Sequence, residues 1–223
     1  MGQKKYELIS ETKYFLGKTL YRIKALISFG DVKIGDIGGF VESDKNLSHD
    51  GNARVCGDAR VYGNAQVYGD ARVYGDARVY GNAQVYGNAR VCGDARVYGN
   101  ARVYGNAQVY GDARVYGDAR VWGNAQVWGD AWVCGDARVW GDAWVATKSS
   151  VFWISCIGSR NGTTTFFKSK NKEIKVACGC FYGTLDEFSQ KVNQTHGDSF
   201  YGKCYQATIE LAKIRLGESD DAK

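Results

Sequence analysis

Two histidines, seven cysteines and long rows of arginine and tyrosine are the side chains of this 223-residue chain that could do chemistry. His49 lies in Leu47-Ser48-His49-Asp50, and His196 in Thr195-His196-Gly197-Asp198. Imidazole is the usual general base near neutral pH, but it needs a placed partner and a pocket. Cys178-Gly179-Cys180, with His196 and Cys204, offers ligands of the kind zinc takes. A C-x-C pair is a weak zinc signal, since structural sites bring two closely spaced pairs. Buried thiols in a reduced protein explain these cysteines better, and no metal is assigned. Cys56 and Cys92 would stand roughly 10 Å apart on one face, too far for a disulfide. The arginines and tyrosines are different, because they recur at a fixed interval.

That interval is six. Sixteen units of Gly-(Asp/Asn)-Ala-(Arg/Gln)-Val-(Tyr/Trp/Cys) run without a gap over 51–146. Self-similarity this strict predicts a solenoid. A Val every six residues cannot follow one face of a helix, whose apolar stripe recurs at 3.6. Within a unit, Val sits between a polar and an aromatic residue, the period-2 pattern of a short strand with Val inward. The Gly-Asp or Gly-Asn pair turns the chain, and Ala is small enough for the inside of the corner.

These hexads resemble the hexapeptide repeats of left-handed β-helix proteins, in which an aliphatic residue is followed four places later by a small one. Val55 and Ala59, Val61 and Ala65, and on to Val139 and Ala143 fit that motif. The resemblance implies a left-handed parallel β-helix, an all-β solenoid with three hexads per coil. Its handedness departs from the usual crossover rule and rests on the resemblance alone.

Stacking at a period of 18 places Arg60, Arg78, Arg96 and Arg114 in one column beside Tyr62, Tyr80, Tyr98 and Tyr116. A second face collects Gln66, Gln84, Arg102, Arg120 and Arg138 with Tyr68, Tyr86, Tyr104, Trp122 and Trp140. The third collects Arg54, Arg72, Arg90, Gln108, Gln126 and Trp144 with Cys56, Tyr74, Cys92, Tyr110 and Trp128. Tyrosines stacked up a parallel sheet are sound cross-strand packing. Flat rows of Tyr and Arg are also what interfaces prefer, so the first column pair is the candidate binding surface. In the last coils Trp122, Trp128, Trp132, Trp140 and Trp144 make the exterior unusually apolar. Such a patch predicts a contact, with residues 147–223 or with another subunit.

The solenoid is flanked by two modules. Residues 1–50 read as an N-terminal cap and irregular first coil, with short strands at 14–16 and 20–26. Residues 147–223 read as a small α+β module. Strands are expected at 151–157, 163–168 and 173–177, with an Asn161-Gly162 turn between the first two. Thr184 and Glu187 form a capping box opening a helix to about 194, and a second helix covers 201–216. The net charge of +5 is spread evenly, and the repeats hold ten Arg against nine Asp, which speaks against a dedicated polyanion patch. The N-terminus lacks the apolar core of a signal peptide, and no run of 18 apolar residues exists. With no disulfide spacing, a reduced cytoplasmic setting is expected.

The enzymes of the resembling superfamily are mostly trimeric acyltransferases that use a His general base and an acyl-CoA donor bound between subunits. The resemblance therefore offers His49 as a base and acyl-CoA as a ligand. Neither histidine lies in the regular coils, however, and 51–146 lacks the extruded loop that builds the acceptor site in such enzymes. The stretches at 20–26, 30–33, 38–43 and 46–53, and the tail at 179–188 and 195–198, also resemble hexapeptide-repeat proteins of bacteria, phages and prophages. Those proteins are often labelled transferases on their repeats alone, which is fold analogy. The expectation is a non-catalytic binding or scaffold protein without a cofactor. It is expected to be a homo-oligomer, a trimer by the resemblance, with a protein partner such as a host factor. Acyl transfer through His49, and nucleotide or nucleic-acid binding on the Arg/Tyr face, are the alternatives.

Overall fold

The computed structural model describes residues 3–217. The hexads form sixteen two-residue strands, β4–β19, running from Arg54–Val55 to Trp144–Val145. Each pairs in parallel with the strand one coil away, so that Arg54 faces Arg72, Arg60 faces Arg78 and Gln66 faces Gln84. The strands sort into the three expected faces. The register is carried by the backbone: Arg78 N–H donates to Ala95 C=O at 2.9 Å, and Tyr80 N–H to Val97 C=O at 3.0 Å. The Val and Ala side chains fill the interior and are essentially inaccessible from Ala53 to Val145. Gly63 shows why the corner needs glycine. Its φ is +70°, and an added Cβ would come within 3.1–3.2 Å of the Gly81 backbone in the next coil.

The bonds that flank the paired strand residues run one way, from N–H to a carbonyl in the following coil. The first coil is therefore left with carbonyls that need donors. The N-terminal segment supplies them. A long hairpin of β1 (Tyr6–Phe15) and β2 (Lys18–Ala25) lies where two short strands are expected, and β3 (Ile37–Val41) joins β2 to the first face. Phe40 N–H donates to Ala59 C=O at 2.9 Å, Glu42 N–H to Val61 at 3.1 Å and Ser48 N–H to Val67 at 2.9 Å. Side chains do the rest. Asn46 Nδ2 donates to Gly63 C=O at 3.0 Å and to Ala65 C=O at 2.9 Å. Lys5 Nζ donates to Ala53 C=O at 2.9 Å and to Gly51 C=O at 3.3 Å. Lys5 is buried, and burial pushes its ammonium down to about 8 against the opposing pull of Asp50 and Asp70.

The far end is closed by an antiparallel sheet of β20 (Val151–Ile157), β21 (Gly162–Lys168), β22 (Ile174–Cys178) and β23 (Phe181–Thr184). Adjacent residues of a strand point to opposite faces. Phe167, Val151 and Ala177 accordingly join the solenoid core, while Phe166 and Val176 pack with helices α1 (Leu185–His196) and α2 (Phe200–Gly217). The capping box at Thr184 and Glu187 opens α1 as expected. Thr165 Oγ1 accepts from Arg138 N–H at 2.9 Å, and Asp142 C=O accepts from Lys170 N–H at 3.2 Å, tying the sheet to the last coil.

Replacing Asn46 by the similarly shaped leucine leaves two first-coil carbonyls without donors. The expected loss is about 3 kcal/mol of unfolding free energy, read by urea denaturation. An unchanged midpoint would show that Asn46 does not cap the coil.

Candidate binding faces

The first face carries the expected tyrosine column. The rings of Tyr62, Tyr80, Tyr98 and Tyr116 follow one another at 5.0, 4.8 and 4.9 Å, with planes within 2° of parallel. Its N-terminal end is not free. Phe15 of β1 meets Tyr62 edge-on at 5.9 Å and leaves it buried, and the guanidiniums of Arg60 and Arg78 lie 4.6 and 5.0 Å from the Phe15 ring. Arg96, Arg114, Tyr98 and Tyr116 remain half-buried along the open part of the face. The corner column beside it is acidic at every level, Asp58, Asp76, Asp94, Asp112 and Asp130. Asp58 is itself paired with Lys13 at 3.7 Å and with Arg22 at 3.5 Å.

The second face holds a longer stack. Tyr68, Tyr86, Tyr104, Trp122 and Trp140 follow at 4.8, 4.9, 5.6 and 5.2 Å, with planes within 13°. Beside it stand Arg102 and Arg120, exposed, and Arg138, half-buried. None of the three has a carboxylate partner among the described residues. The period-18 register displays this face in the sequence, but the identical hexads of the first face give the stronger signal there.

All five of the tryptophans singled out in the last coils are half-buried. Trp140 meets Tyr182 of β23 at 4.4 Å, and Tyr182 Oη donates to Asp142 at 2.7 Å. Trp132 lies between the cations of Arg114, 5.0 Å away, and Lys148, 4.3 Å away. Trp128 meets Trp144 edge-on at 5.7 Å. The C-terminal module thus contacts Trp140 through Tyr182 and Trp132 through Lys148, while Trp122, Trp128 and Trp144 meet other residues of the solenoid end.

His49 stacks on Tyr6 at 4.3 Å, and its Nδ1 accepts Lys5 N–H at 3.2 Å. That bond occupies Nδ1, and Nε2 is buried without a hydrogen-bond partner among the described residues. His196 closes α1 and stacks on Tyr205 at 5.5 Å. Cys178 Sγ accepts from Thr164 Oγ1 at 3.1 Å, and all seven cysteines are free. Among the described residues no group of three His, Cys, Asp or Glu side chains is arranged to hold a metal ion. No helix is long and apolar enough to cross a membrane.

The family described as YdcK beta solenoid repeat matches at 53–69, 65–81, 71–87, 83–97, 95–111, 107–123 and 113–129. The matched coils are β-solenoid repeats. Successive matches overlap and start at multiples of six residues from one another, as the hexad requires. No curated protein matches the chain.

Burial pushes Tyr62 up to about 12, with neighbouring Tyr80 adding to it, and a hydrogen bond with Cys134 followed by burial does the same for Tyr116. Burial and then Asp142 push Tyr182 to about 12 as well. The fold favours the neutral phenol in each case, so these groups add stability that is complete below pH 10 and is lost as pH rises from about 10 to 12. Absorbance at 295 nm should show these tyrosinates forming only with alkaline unfolding. Reversible titration of all fifteen tyrosines near pH 10 in the folded chain would contradict the packing described.

Proposed function

We propose that the protein is a non-catalytic binding scaffold that presents its solenoid faces to a protein partner. The observation that carries this reading is the five-ring stack of the second face beside three arginines without carboxylate partners among the described residues. Arg, Tyr and Trp are the residue types that dominate interface energetics. Here each ring is stacked on a neighbour before any partner arrives, so little side-chain freedom remains to be lost on binding. The arginines call for an acidic counterpart, and the straight, repeating row suits a flat or repetitive surface. A phage-encoded chain acting on a host factor would use such a face, and the resemblance to phage and prophage proteins supports that origin. The free thiols suit a reducing cytoplasm. Homo-oligomerisation, as a trimer by the resemblance, would leave the same rows at subunit edges.

Acyl transfer through His49 finds no support in the geometry, since Nδ1 accepts the Lys5 amide and Nε2 is buried. Nucleotide or nucleic-acid binding uses the same residue types and is separated by the test. Native mass spectrometry of the protein purified from a bacterial host should show a stoichiometric protein partner. The Arg102→Glu/Arg120→Glu variant should lose it while keeping its circular dichroism spectrum. A partner retained by the variant, or a bound mass that is a CoA-sized molecule or nucleic acid, would overturn the reading.

A further inference from the structure

The third face begins differently from the other two. Its first strand, Arg54–Val55, has no strand or bridge before it, whereas β3 pairs onto the first face and Leu47 bridges Val67 on the second. The segment joining β2 to β3, residues 26–36, straps over this strand. Phe29 and Val32 exchange backbone hydrogen bonds at 3.0 and 2.9 Å, closing a turn around Gly30, whose φ is +55°. At the tip, Asp31 accepts from Arg54 Nη2 at 2.6 Å and so ties the strap to the coil.

Between strap and coil lies a cavity of about 460 Å³, a size typical of small-molecule sites. One wall is apolar and built from Ile23, Ala25, Phe29, Val32 and Ile37. Ile37 is half exposed there, at 50%. The opposite wall is cationic. Arg54, Arg72 and Arg90 stand in register on three successive strands and all line the cavity.

The charges do not balance. Asp31 serves Arg54, and the other acid of the lining, Asp36, accepts from Lys33 N–H within its own loop at 2.7 Å. Arg72 and Arg90 have no carboxylate partner among the described residues. The corner column offers little help, since beside these arginines it reads Asn52, Asp70, Asn88. Asp70 already accepts from Asn52 Nδ2 at 2.8 Å. Burial, then the charges of Arg72 and Arg90, hold the Arg54 guanidinium below the usual arginine range. Three cations crowded against an apolar wall are a site for a molecule with both characters.

We propose that this cavity binds a small organic carboxylate, with its head held by Arg72 and Arg90 and its alkyl or aryl body against Phe29, Val32 and Ile37. Guanidinium groups match a carboxylate with paired, charge-assisted hydrogen bonds. The apolar wall then contributes in proportion to the area covered. This site is separate from the second-face row, and either can exist without the other.

The test uses the full chain with 8-anilinonaphthalene-1-sulfonate as a fluorescent anionic probe. It should bind saturably at one site per chain, and decanoate should displace it while decanol does not. Arg72→Gln/Arg90→Gln should weaken probe and decanoate at least tenfold with an unchanged melting temperature. Arg160→Gln/Arg215→Gln, which removes the same charge from the C-terminal module, should leave both affinities as they were. Val32→Trp, which fills the cavity and leaves the arginines in place, should abolish binding. Absence of saturable binding, displacement by decanol as good as by decanoate, or equal losses in the two double variants would overturn the proposal.

Discussion

The hydrogen bonds between coils are the constraint on which everything else depends. Each regular coil must offer its N–H groups to the carbonyls of the next at one spacing, and the chain must turn three corners to do so. The corner is therefore glycine at a positive φ, stacked so closely on the glycine below that a Cβ would collide with backbone. The interior is filled by the one Val and one Ala that each hexad turns inward. The ring stacks follow from the same spacing. Isolated aromatic pairs favour offset or edge-on arrangements. Here the strands hold the tyrosines nearly parallel at 4.8–5.0 Å, and the side chains follow the backbone's spacing.

Because the bonds that flank the strands run one way, the solenoid has chemically distinct ends. One end presents acceptors and the other donors, and each is closed by the complementary kind of group. Lys5 and Asn46, with the N–H groups of Phe40, Glu42 and Ser48, cover the acceptors. Thr165 Oγ1 receives a donor at the other end. A cap made of side chains needs those side chains desolvated, which is why a lysine sits buried with a depressed pKa at the first coil. The arginine columns obey a related balance. On the first face every level brings an aspartate to the corner, whereas the corners beside Arg54, Arg90 and Arg102 carry Asn52, Asn88 and Asn100, so the uncompensated charge gathers on the other two faces.

The repeat was legible down to register, because a strict period of six leaves little else for the chain to do. That Val55 stacks on Val73 and Tyr62 on Tyr80 follows from counting. The C-terminal strands and helices were legible from local signals, the Asn161-Gly162 turn and the Thr184/Glu187 capping box. The four residues of β23 were missed, being too few to show a period. The hairpin is less legible for a different reason. Its first strand begins in a charged stretch, and its ladder shifts register between Leu8 and Thr12, which breaks the alternation. With β1 unseen, nothing indicated that Phe15 would settle over Tyr62, Arg60 and Arg78. The strap over the third face was equally invisible, since 26–36 carries no regular pattern and acquires its meaning only from where Arg54 lies.

This division bears on where specificity can arise. A run of identical coils is translationally symmetric, so any site built from it alone recurs at every level. Such a surface suits a repetitive or extended partner and cannot single out one small molecule. A unique site requires the symmetry to break, and here it breaks in two places. At the far end tryptophan replaces tyrosine and arginine, and the added apolar area lies next to the sheet and helices that close the prism. At the near end the strap closes over three arginines of the third face and makes one walled cavity from residues that elsewhere form an open ladder. The coils supply the rows of charge and aromatic surface, and the irregular segments at the ends decide which parts of those rows are covered, enclosed or left open.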